Sequence, residues 1–270
     1  MSDIRIGVVG CAGRMGQALM RQVLETDGCV LAGGAERPDA PVVGRDLAAL
    51  CGADCGGLTV LGDSARLFTH ADAVLDFTSP VASADHARFA AQSRTALVIG
   101  TTGLNADQEQ AVRTASEHTA IVWAPNMSVG VTVLTQLTRQ LAGLLDEDFD
   151  IEIVEMHHRH KVDAPSGTAL ALGEAAAQGR GHQLADVAQR GRDGLTGPRK
   201  RGGIGFAALR GGNVVGDHKV IFAADNERIE VTHKAANRTI FARGAVRAAC
   251  WAADRPPGLY DMTDVLGFSA

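Results

Sequence analysis

The stretch VVGCAGRMGQAL, residues 8–19, decides the fold of this chain. It closes the apolar run IRIGVVG at residues 4–10, which predicts a strand buried on both faces, and it leads into apolar residues at helical spacing. Gly10, Gly13 and Gly16 stand where this strand gives way to the helix. Glycine lets the backbone approach a pyrophosphate, and a helix amino terminus offers free N–H groups and partial positive charge. The stretch therefore predicts the first strand–turn–helix unit of a dinucleotide-binding fold.

A second feature supports the nucleotide interpretation. The spacing G-x-x-G-x-x-G is not the commoner G-x-G-x-x-G, and a tight turn that merely needs glycine is the alternative. However, Glu36 ends the next apolar run twenty residues after Gly16, where a ribose-hydroxyl acceptor belongs. An acid there favours NAD, whereas Arg37, together with Arg14 in the glycine loop, would suit the extra phosphate of NADP. We expect either cofactor to be accepted, unless Arg37 is only a solvated loop charge.

The rest of the first half alternates strand-like and helix-like segments. Residues 71–80, 96–103 and 120–126 are short apolar runs ending in turn residues, with helical patterns between them and a loop-rich region at 38–62. This alternation predicts a mostly parallel sheet with helices on both faces, whose carboxyl ends share one edge. The small-residue turns GTTG (100–103) and APNMS (124–128) should lie at that edge, near the nicotinamide end of a dinucleotide.

The pattern changes after residue 126. An amphipathic stretch at 131–145 leads into DIEIVEMHH (150–158), which alternates acid with aliphatic residues as a half-buried strand does. After a helix at 168–178 and a basic, glycine-rich stretch at 190–203, three strand-like runs follow at 204–212, 214–224 and 227–235. They predict an antiparallel or mixed sheet in a second, α+β domain. A capped helix at 237–253 could pack back on the first domain.

Composition narrows the function classes. The chain has 270 residues, of which 46% are hydrophobic and 21% charged, and a net charge of −5, which argues against a nucleic-acid coat. Its five cysteines are odd in number and form no C-x-x-C pair, so we expect reduced thiols, although Cys51 and Cys55 could share a metal. No apolar run reaches transmembrane length, and MSDIRIGVVG lacks the features of a secretion signal. A cytoplasmic protein with neither a membrane nor a nucleic-acid partner is expected.

The stretch EMHHRHKVDAPSGTA, residues 155–169, carries the most concentrated chemistry. A metal site is one explanation, but on an extended strand only His158 and His160 would share a face, and the cations Arg159 and Lys161 would repel a metal ion. A nucleic-acid contact is another, but the stretch lacks interleaved aromatics. No metal is therefore expected.

A catalytic acid beside an anion pocket explains the same stretch better. Residues 166–168 (SGT) open a helix, whose N–H groups and hydroxyls suit a carboxylate or phosphate, and histidine carries protons near neutral pH. Lys161 is one of only four lysines in the chain, which hints at a task that needs a compact ammonium. A solvated basic loop with one buried histidine remains the alternative. Together with a nicotinamide, this site predicts hydride transfer to a small, carboxylated, electrophilic substrate.

The motifs also resemble a known family. VVGCAGRMG, DFTSP, GTTG, APNMSVGV, EMHHRHKVDAPSGTA and RGGNVVGDHKVIF occur in order along essentially the whole chain. In this they closely resemble the 4-hydroxy-tetrahydrodipicolinate reductase (dihydrodipicolinate reductase) family of the bacterial diaminopimelate–lysine pathway. The resemblance implies reduction of a cyclic imine dicarboxylate, 4-hydroxy-tetrahydrodipicolinate, by NADH or NADPH with loss of water. Ser79 of DFTSP stands where some relatives carry a charged residue, a difference that could alter cofactor preference.

The resemblance further implies an architecture. A Rossmann-like N-terminal dinucleotide-binding domain spans residues 1–126 and is completed by residues 238–270. Residues 127–237 form an α+β substrate-binding and oligomerisation domain with a mixed sheet, through which the family assembles as homotetramers. The fold class expected is thus α/β with a second α+β domain.

The resemblance also assigns roles to residues. His157 would be the catalytic proton donor/acceptor and Lys161 the proton donor, while His158, Gly167 and Thr168 would bind the substrate carboxylates. The implied cofactor contacts are Gly10, Cys11, Ala12, Gly13, Arg14, Met15, Glu36, Arg37, Gly100, Thr101, Thr102, Ala124, Pro125, Asn126 and Met127.

Two rivals remain open. Another two-domain dehydrogenase of amino-acid metabolism, acting on aspartate or homoserine, would share the glycine loop but should lack the HHRHK…SGT stretch. A dinucleotide-binding sensor without catalysis would bind NADH, show no turnover and tolerate replacement of His157 or Lys161.

Overall fold

The structure is a computed structural model that describes residues 3–268, and it divides into two compact units. The first comprises the residues up to Val129 and those from Thr239 onward, and the second is Gly130–Arg238. Residues 1–2 and 269–270, which the predicted domain boundaries include, lie outside the described residues.

The strands and helices follow in chain order. The strands are β1 (Ile4–Val9), β2 (Cys29–Ala35), β3 (Val60–Leu61), β4 (Ala73–Asp76), β5 (Ala96–Ile99), β6 (Ala120–Trp123), β7 (Asp150–His157), β8 (Ala188–Gln189), β9 (Ile204–Arg210), β10 (Gly216–Ala223), β11 (Arg228–Ala235) and β12 (Gly258–Tyr260). The helices are α1 (Arg14–Leu24), α2 (Ala48–Cys51), α3 (Ser64–Phe68), α4 (Pro80–Ser93), α5 (Ala106–Ser116), α6 (Val129–Leu144), α7 (Gly167–Gly179), α8 (Leu184–Val187), α9 (Thr239–Ala252) and α10 (Met262–Leu266).

The first unit is a doubly wound α/β fold. Within the described residues its sheet has seven strands in the order β12-β6-β5-β4-β1-β2-β3, and every pairing is parallel. All four residues of β4 and of β5 are buried, as a strand covered on both faces requires. One core lies under α1 and α9, and the other lies under α3, α4 and α5. The predicted Rossmann-like parallel sheet is confirmed.

Local sequence explains where the helices of this unit begin. Asn105 accepts a hydrogen bond from the Gln108 N–H at 3.0 Å, and the Gln108 side chain accepts one from the Asn105 N–H at 2.9 Å, which makes a capping box ahead of α5. The region 38–62, predicted as loops, contains the short helix α2 and the two-residue strand β3. Elements this short carry no readable periodicity, so tertiary packing of Cys51 and Val60, both buried, decides them.

The second unit has a mixed sheet, as predicted. Its order is β11-β10-β7-β9-β8; β10 is antiparallel to β7 and β11, whereas β9 is parallel to β7 and β8. Buried and half-buried residues alternate along β7, and Ile151 and Ile153 point to the face where α6 and α7 complete a core. We call this the inner face of the mixed sheet, and the opposite side its outer face.

Helix α9 belongs to the first unit although it follows the second in sequence. It is rich in small residues, and seven of its residues are buried. It packs on β4, β5, β6 and α1. Gly244 allows the closest approach, because a Cβ there would collide with the carbonyl oxygen of Met127. Within residues 3–268 no helix is both long and apolar enough to cross a membrane.

Candidate active site

The glycine loop packs α1 tightly against the end of β1. Gly10 has φ +66°, and a Cβ there would stand 2.7 Å from Cγ2 of Thr78. Gly16 lies directly on the backbone of Gly10 and Cys11, so a side chain would push α1 away. Gly13 is the N-cap residue, and no side chain of the described part of the chain caps this helix. The first turn of α1 therefore has the form of an anion-binding helix terminus.

Glu36 is tied to the glycine loop. Its Oε1 accepts a hydrogen bond from the Ala12 N–H at 2.9 Å, which joins the end of β2 to the loop after β1. Arg37, by contrast, is 80% exposed in its side chain and lies 3.9 Å from Asp39. The acid is thus fixed by the fold, whereas the arginine is held only by a weak surface ion pair.

A cavity of about 700 Å³ opens beside this loop in the first unit. Gly10, Gly13, Glu36 and Arg37 line one part of it. The remaining lining includes the aromatic side chains Phe77 and Phe89 and the polar residues Asp63, Ser64, Thr78, Ser79, Asp85 and His86. A cleft of this size, with apolar walls and a few polar groups, is suited to a nucleotide.

Asp76 organises the rim of this cavity, and the sequence analysis missed its role. It is fully buried at the end of β4, and its carboxylate accepts from the Thr78 N–H at 3.0 Å, from the Thr78 hydroxyl at 2.6 Å and pairs with His86 Nδ1 at 2.9 Å. The Thr78 N–H also approaches the Thr101 hydroxyl at 3.1 Å. The Thr101 hydroxyl also donates to the Asp76 carboxylate at 3.5 Å, so one buried carboxylate joins the DFTSP and GTTG turns. The Phe77 ring covers Gly100 so closely that a side chain there would not fit.

The other predicted cofactor contacts divide into two groups. The side chains of Cys11 and Met127 are buried in the core, and burial raises the pKa of the Cys11 thiol to about 12. Ala124 is also buried, and the Asn126 side chain accepts from the Ser128 N–H at 2.9 Å. These positions offer backbone rather than side-chain groups to a ligand. Arg14, Thr102 and Pro125 are exposed and Met15 is half-buried.

In the second unit, His157 ends β7 on the inner face of the sheet. It is 8% exposed, and its Nδ1 lies 2.6 Å from Oε2 of Glu155, which is 1% exposed. With the proton on Nδ1, the imidazole donates to the carboxylate and Nε2 is the nitrogen left for chemistry. Nε2 faces Gly216, where a Cβ would stand 3.0 Å from it.

The Glu155 carboxylate is saturated with donors. Arg210 donates to both of its oxygens, at 2.8 and 2.9 Å, and the Ser166 N–H donates to Oε1 at 3.1 Å. Burial alone would raise the pKa of Glu155, but hydrogen bonds from Arg210 and His157 prevail and hold that pKa below its ordinary value. Glu155 is therefore an anion at neutral pH, directly behind His157.

His218 lies beside His157 on the neighbouring strand β10. Their ring centroids are 5.1 Å apart in an edge-on arrangement, and His218 Nε2 is 3.1 Å from the Ser166 hydroxyl. Burial, together with the charge of His157, lowers the pKa of His218 to about 4. His218 is thus a neutral neighbour of His157 at physiological pH.

Lys161 and His158 lie in the loop that follows β7. The strand ends at His157, and the Lys161 N–H donates to the His158 carbonyl in a turn, so His158 and His160 lie beyond the strand, with ring centroids 6.3 Å apart. Lys161 Nζ lies 2.8 Å from Asp163, and this hydrogen bond holds the pKa of Asp163 below its ordinary value. Partial burial lowers the pKa of His158, and the neighbouring cations, Arg238 foremost, lower it further. Such a cluster of positive groups suits an anion.

Gly167 and Thr168 are the first residues of α7. Ser166 is the N-cap, and its hydroxyl accepts from the Ala169 N–H at 3.2 Å. Because the Ser166 N–H is already bonded to Glu155, Ser166 does not offer it to a ligand, contrary to the sequence-based expectation. Gly167 is exposed and faces open space. Among residues 3–268 no group of three or more His, Cys, Asp or Glu side chains is arranged to hold a metal ion.

Sequence reasoning missed three residues of this cluster: Glu155, Arg210 and His218. Glu155 carried a usable signal, since it has the same strand parity as Ile151 and Ile153 and must therefore point to the core face. Arg210 and His218 lie more than fifty residues further along the chain, in the motif RGGNVVGDHKVIF, and nothing in that motif indicates a contact with His157. Strand pairing brings them there.

Comparisons with known proteins identify the family. The family model for the N-terminus of dihydrodipicolinate reductase matches residues 4–127, and the model for its C-terminus matches residues 130–266. A protein of Parvibaculum lavamentivorans named 4-hydroxy-tetrahydrodipicolinate reductase is 56% identical over 98% of both chains. One of the same name from Cereibacter sphaeroides is 56% identical over 99% of this chain and 100% of its own.

A solved structure extends the likeness to the fold. A dipicolinate-bound dihydrodipicolinate reductase from a Paenisporosarcina species superposes with a TM-score of 0.76 at 23% identity, over 97% of this chain and 98% of its own. At that identity the structural match supports the fold alone. The sequence relatives and both family models establish the family. The chain belongs to the dihydrodipicolinate reductase family.

Proposed function

We propose that this chain is an NAD(P)H-dependent 4-hydroxy-tetrahydrodipicolinate reductase. It reduces its cyclic imine substrate to tetrahydrodipicolinate with loss of water, in the diaminopimelate route to lysine. The observation that carries the proposal is the near-full-length similarity to relatives of that name, at 53–56% identity. The geometry of both units is consistent with it, since one has a cavity beside a glycine loop and the other a buried histidine–carboxylate pair.

The nucleotide would bind beside the glycine loop. The fit rests on two features: Gly10 and Gly13 line the cavity beside the loop without a side chain to obstruct it, and the first turn of α1 has no side-chain cap. Four turns would contact the nucleotide, in part through backbone groups: residues 10–15, 36–37, 100–102 and 124–127. When bound, the reduced nicotinamide supplies a hydride. This chain's own groups hold the pyrophosphate at α1 and the ribose at Glu36.

The charges around the cavity favour NADH over NADPH, although both would be accepted. Glu36, Asp63 and Asp85 line the cavity with Arg37, so an added phosphate meets three acids and one cation. Asp63 also caps α3 by accepting from the Arg66 N–H, a role that asparagine can keep. Asp63→Asn should therefore lower KM for NADPH by roughly 3–10-fold with little change for NADH, since one partly screened charge is removed. Equal changes for both nucleotides would contradict this assignment.

The second unit would bind the substrate and deliver the proton. His158, Gly167 and Thr168 would hold the substrate carboxylates, and the surrounding cations attract them. His157 would exchange a proton through Nε2 while Glu155 stabilises the imidazolium form. Lys161 would release its contact with Asp163 to donate a proton as negative charge develops on the substrate.

The same unit would mediate assembly into a homotetramer. The outer face of the mixed sheet carries Val154, Met156 and Ile221, all half-buried, and Leu209, which is 49% exposed. An apolar patch on an open sheet face indicates a protein–protein interface. Light scattering coupled to size exclusion should give a tetramer for the wild type and smaller species for Leu209→Lys. The proposal also places the enzyme in the cytoplasm, where its free cysteines stay reduced.

A coupled assay tests the activity. The enzyme is given freshly made synthase product, and the absorbance of NADH and of NADPH is followed in separate reactions. Oxidation of either nucleotide that requires the substrate supports the proposal. If neither is oxidised while NADH still binds, the chain is a nucleotide sensor; if aspartate or homoserine is turned over instead, it is another dehydrogenase.

A further inference from the structure

We propose that Glu155 and Arg210 are positioning residues for this reaction: Glu155 orients His157, and Arg210 fixes the loop that carries Lys161 to the strand that carries His157. This inference rests on the proposed function, because that function gives His157 and Lys161 their roles. Neither Glu155 nor Arg210 was among the predicted site residues.

Glu155 occupies a position that is costly for a carboxylate. It follows Ile151 and Ile153 on the inner face of β7 and is 1% exposed. An unpaired carboxylate there would be strongly disfavoured, so the fold must surround it with donors. Four hydrogen bonds from three residues do so: two from Arg210, one from the Ser166 N–H and one from His157 Nδ1. Arg210 and Ser166 hold the carboxylate still, which leaves it able to set the ring plane and tautomer of His157.

Arg210 lies between two parts of the site. In the pairing of β7 with β9, Arg210 lies opposite His157. Its guanidinium donates both to Glu155 and, at 2.6 Å, to the carbonyl of Asp163, whose carboxylate holds Lys161 Nζ at 2.8 Å. The path Glu155–Arg210–Asp163–Lys161 is therefore a continuous chain of charge-assisted contacts. Lysine could not replace Arg210, because an ammonium lacks the planar, forked arrangement of donors that a guanidinium has.

The loop is closed at both ends by the same carboxylate. Residues 158–166 leave β7 next to Glu155 and return to it where the Ser166 N–H donates to Oε1. In addition, the Gly211 N–H donates to the His157 carbonyl and the Arg159 N–H to the Gly212 carbonyl, which tie the loop's first residues to the turn after β9. Removing the Glu155–Arg210 pair should thus loosen the loop and the ring of His157 together.

A matched control exists on the same strand. Glu152 lies on the outer face of β7 and receives a bidentate contact from Arg192 at 3.0 and 2.7 Å, with a further contact from Arg199. This pair resembles Glu155–Arg210 in chemistry but does not touch His157. Glu152→Gln and Arg192→Lys therefore control for the loss of a charged pair from this sheet.

The experiment compares Glu155→Gln and Arg210→Lys with these controls in the full-length chain. The charged or titratable groups around His157 are Glu155 on β7, Arg210 on β9, His218 on β10, and His158 and Lys161 in the loop. Glu155→Gln should lower kcat roughly 10–100-fold and move the midpoint of the pH–rate profile to lower pH by about one unit, because the imidazolium loses its counter-ion. Arg210→Lys should mainly raise KM for the imine, with faster hydrogen exchange in residues 158–166. The controls should change none of these.

The readouts separate this inference from the proposed function. A wild-type enzyme with no reductase activity would refute the proposed function, but hydrogen exchange in the loop and the imidazole NMR signals of His157 could still be compared. The inference is refuted if Glu155→Gln folds and keeps the wild-type kcat and pH profile. If Glu155→Gln does not fold, Arg210→Lys decides, and loop exchange equal to that of Arg192→Lys counts against the proposal.

Discussion

Replacing His218 by glutamine should make the second unit less sensitive to acid. The pKa of His218 falls from the ordinary value of 6.5 to about 4, chiefly because the ring is buried and only 4% exposed. Above about pH 6.5 the residue is neutral in both the folded and the unfolded chain and contributes no pH dependence. Below that pH the unfolded chain binds a proton that the folded chain refuses, so stability falls as the pH drops toward 4.

The size of this effect follows from the shift. A difference of about 2.5 pKa units corresponds to about 3 kcal/mol of unfolding free energy, reached progressively between about pH 6.5 and pH 4. Glutamine cannot titrate there and can still reach the Ser166 hydroxyl that His218 Nε2 contacts. His218→Gln should therefore be less stable than the wild type at pH 8, with the gap closing by about 3 kcal/mol at pH 4.

The assay must report on the second unit. Both tryptophans, Trp123 and Trp251, and the one tyrosine, Tyr260, belong to the first unit, so intrinsic fluorescence reports mainly on that unit. Hydrogen exchange of peptides from β7 and β10, measured from pH 8 to pH 4 and corrected for intrinsic rates, gives the required free energy. His118→Gln, at an exposed histidine, serves as the control. The difference in unfolding free energy between the wild type and His218→Gln should change with pH. If this difference is independent of pH, His218 is not held neutral and the reasoning is refuted.

The remaining predictions concern turnover and packing. Lys161→Ala should cut turnover by about 2–4 orders of magnitude in the coupled assay, since a proton donor and a charge are both lost; wild-type rates would remove Lys161 from the mechanism. Gly244→Ala should destabilise the first unit by about 3 kcal/mol or more, because the added Cβ collides with the backbone carbonyl of Met127. Denaturant unfolding followed by tryptophan fluorescence measures this, and Gly191→Ala, which meets open space, should change it little.

The sequence was most informative where one local rule decides the structure. Apolar runs ending in turn residues located β1, β4, β5 and β6, and the acid that ends the second run is Glu36, which the fold brings to the glycine loop. Helix α5 lies in one of the helical patterns predicted between these runs, and a capping box at Asn105 begins it. The short elements α2, α3 and β3 were missed because segments of only a few residues show no hydrophobic periodicity. The Asp76–His86 contact was missed because the residues around Asp76 in the sequence do not indicate which side chain its buried carboxylate contacts.

The strand β7 shows why the candidate site was only partly predictable. Its first half obeys the expected alternation, with Asp150 and Glu152 facing outward and Ile151 and Ile153 inward. From Val154 the alternation inverts: Val154 and Met156 occupy the outer face, and Glu155 and His157 the inner one. Exposing aliphatic side chains and burying ionisable ones both cost free energy unless partner groups compensate. We therefore expect a specific reason for this pattern on each face of the strand.

On the inner face the reason is visible in the structure. Glu155 and His157 are compensated by Arg210, Ser166 and each other, all brought together by strand pairing and by the start of α7. On the outer face the same inversion places Val154 and Met156 beside the exposed Leu209. Burial of this apolar surface against another protein surface would be favourable. One inversion in the sequence therefore places the proposed proton-transfer site and the proposed subunit interface back to back on a single strand. Because both depend on the register of β7, any change that slips this register by one residue would expose Glu155 and bury Met156, and would abolish both at once.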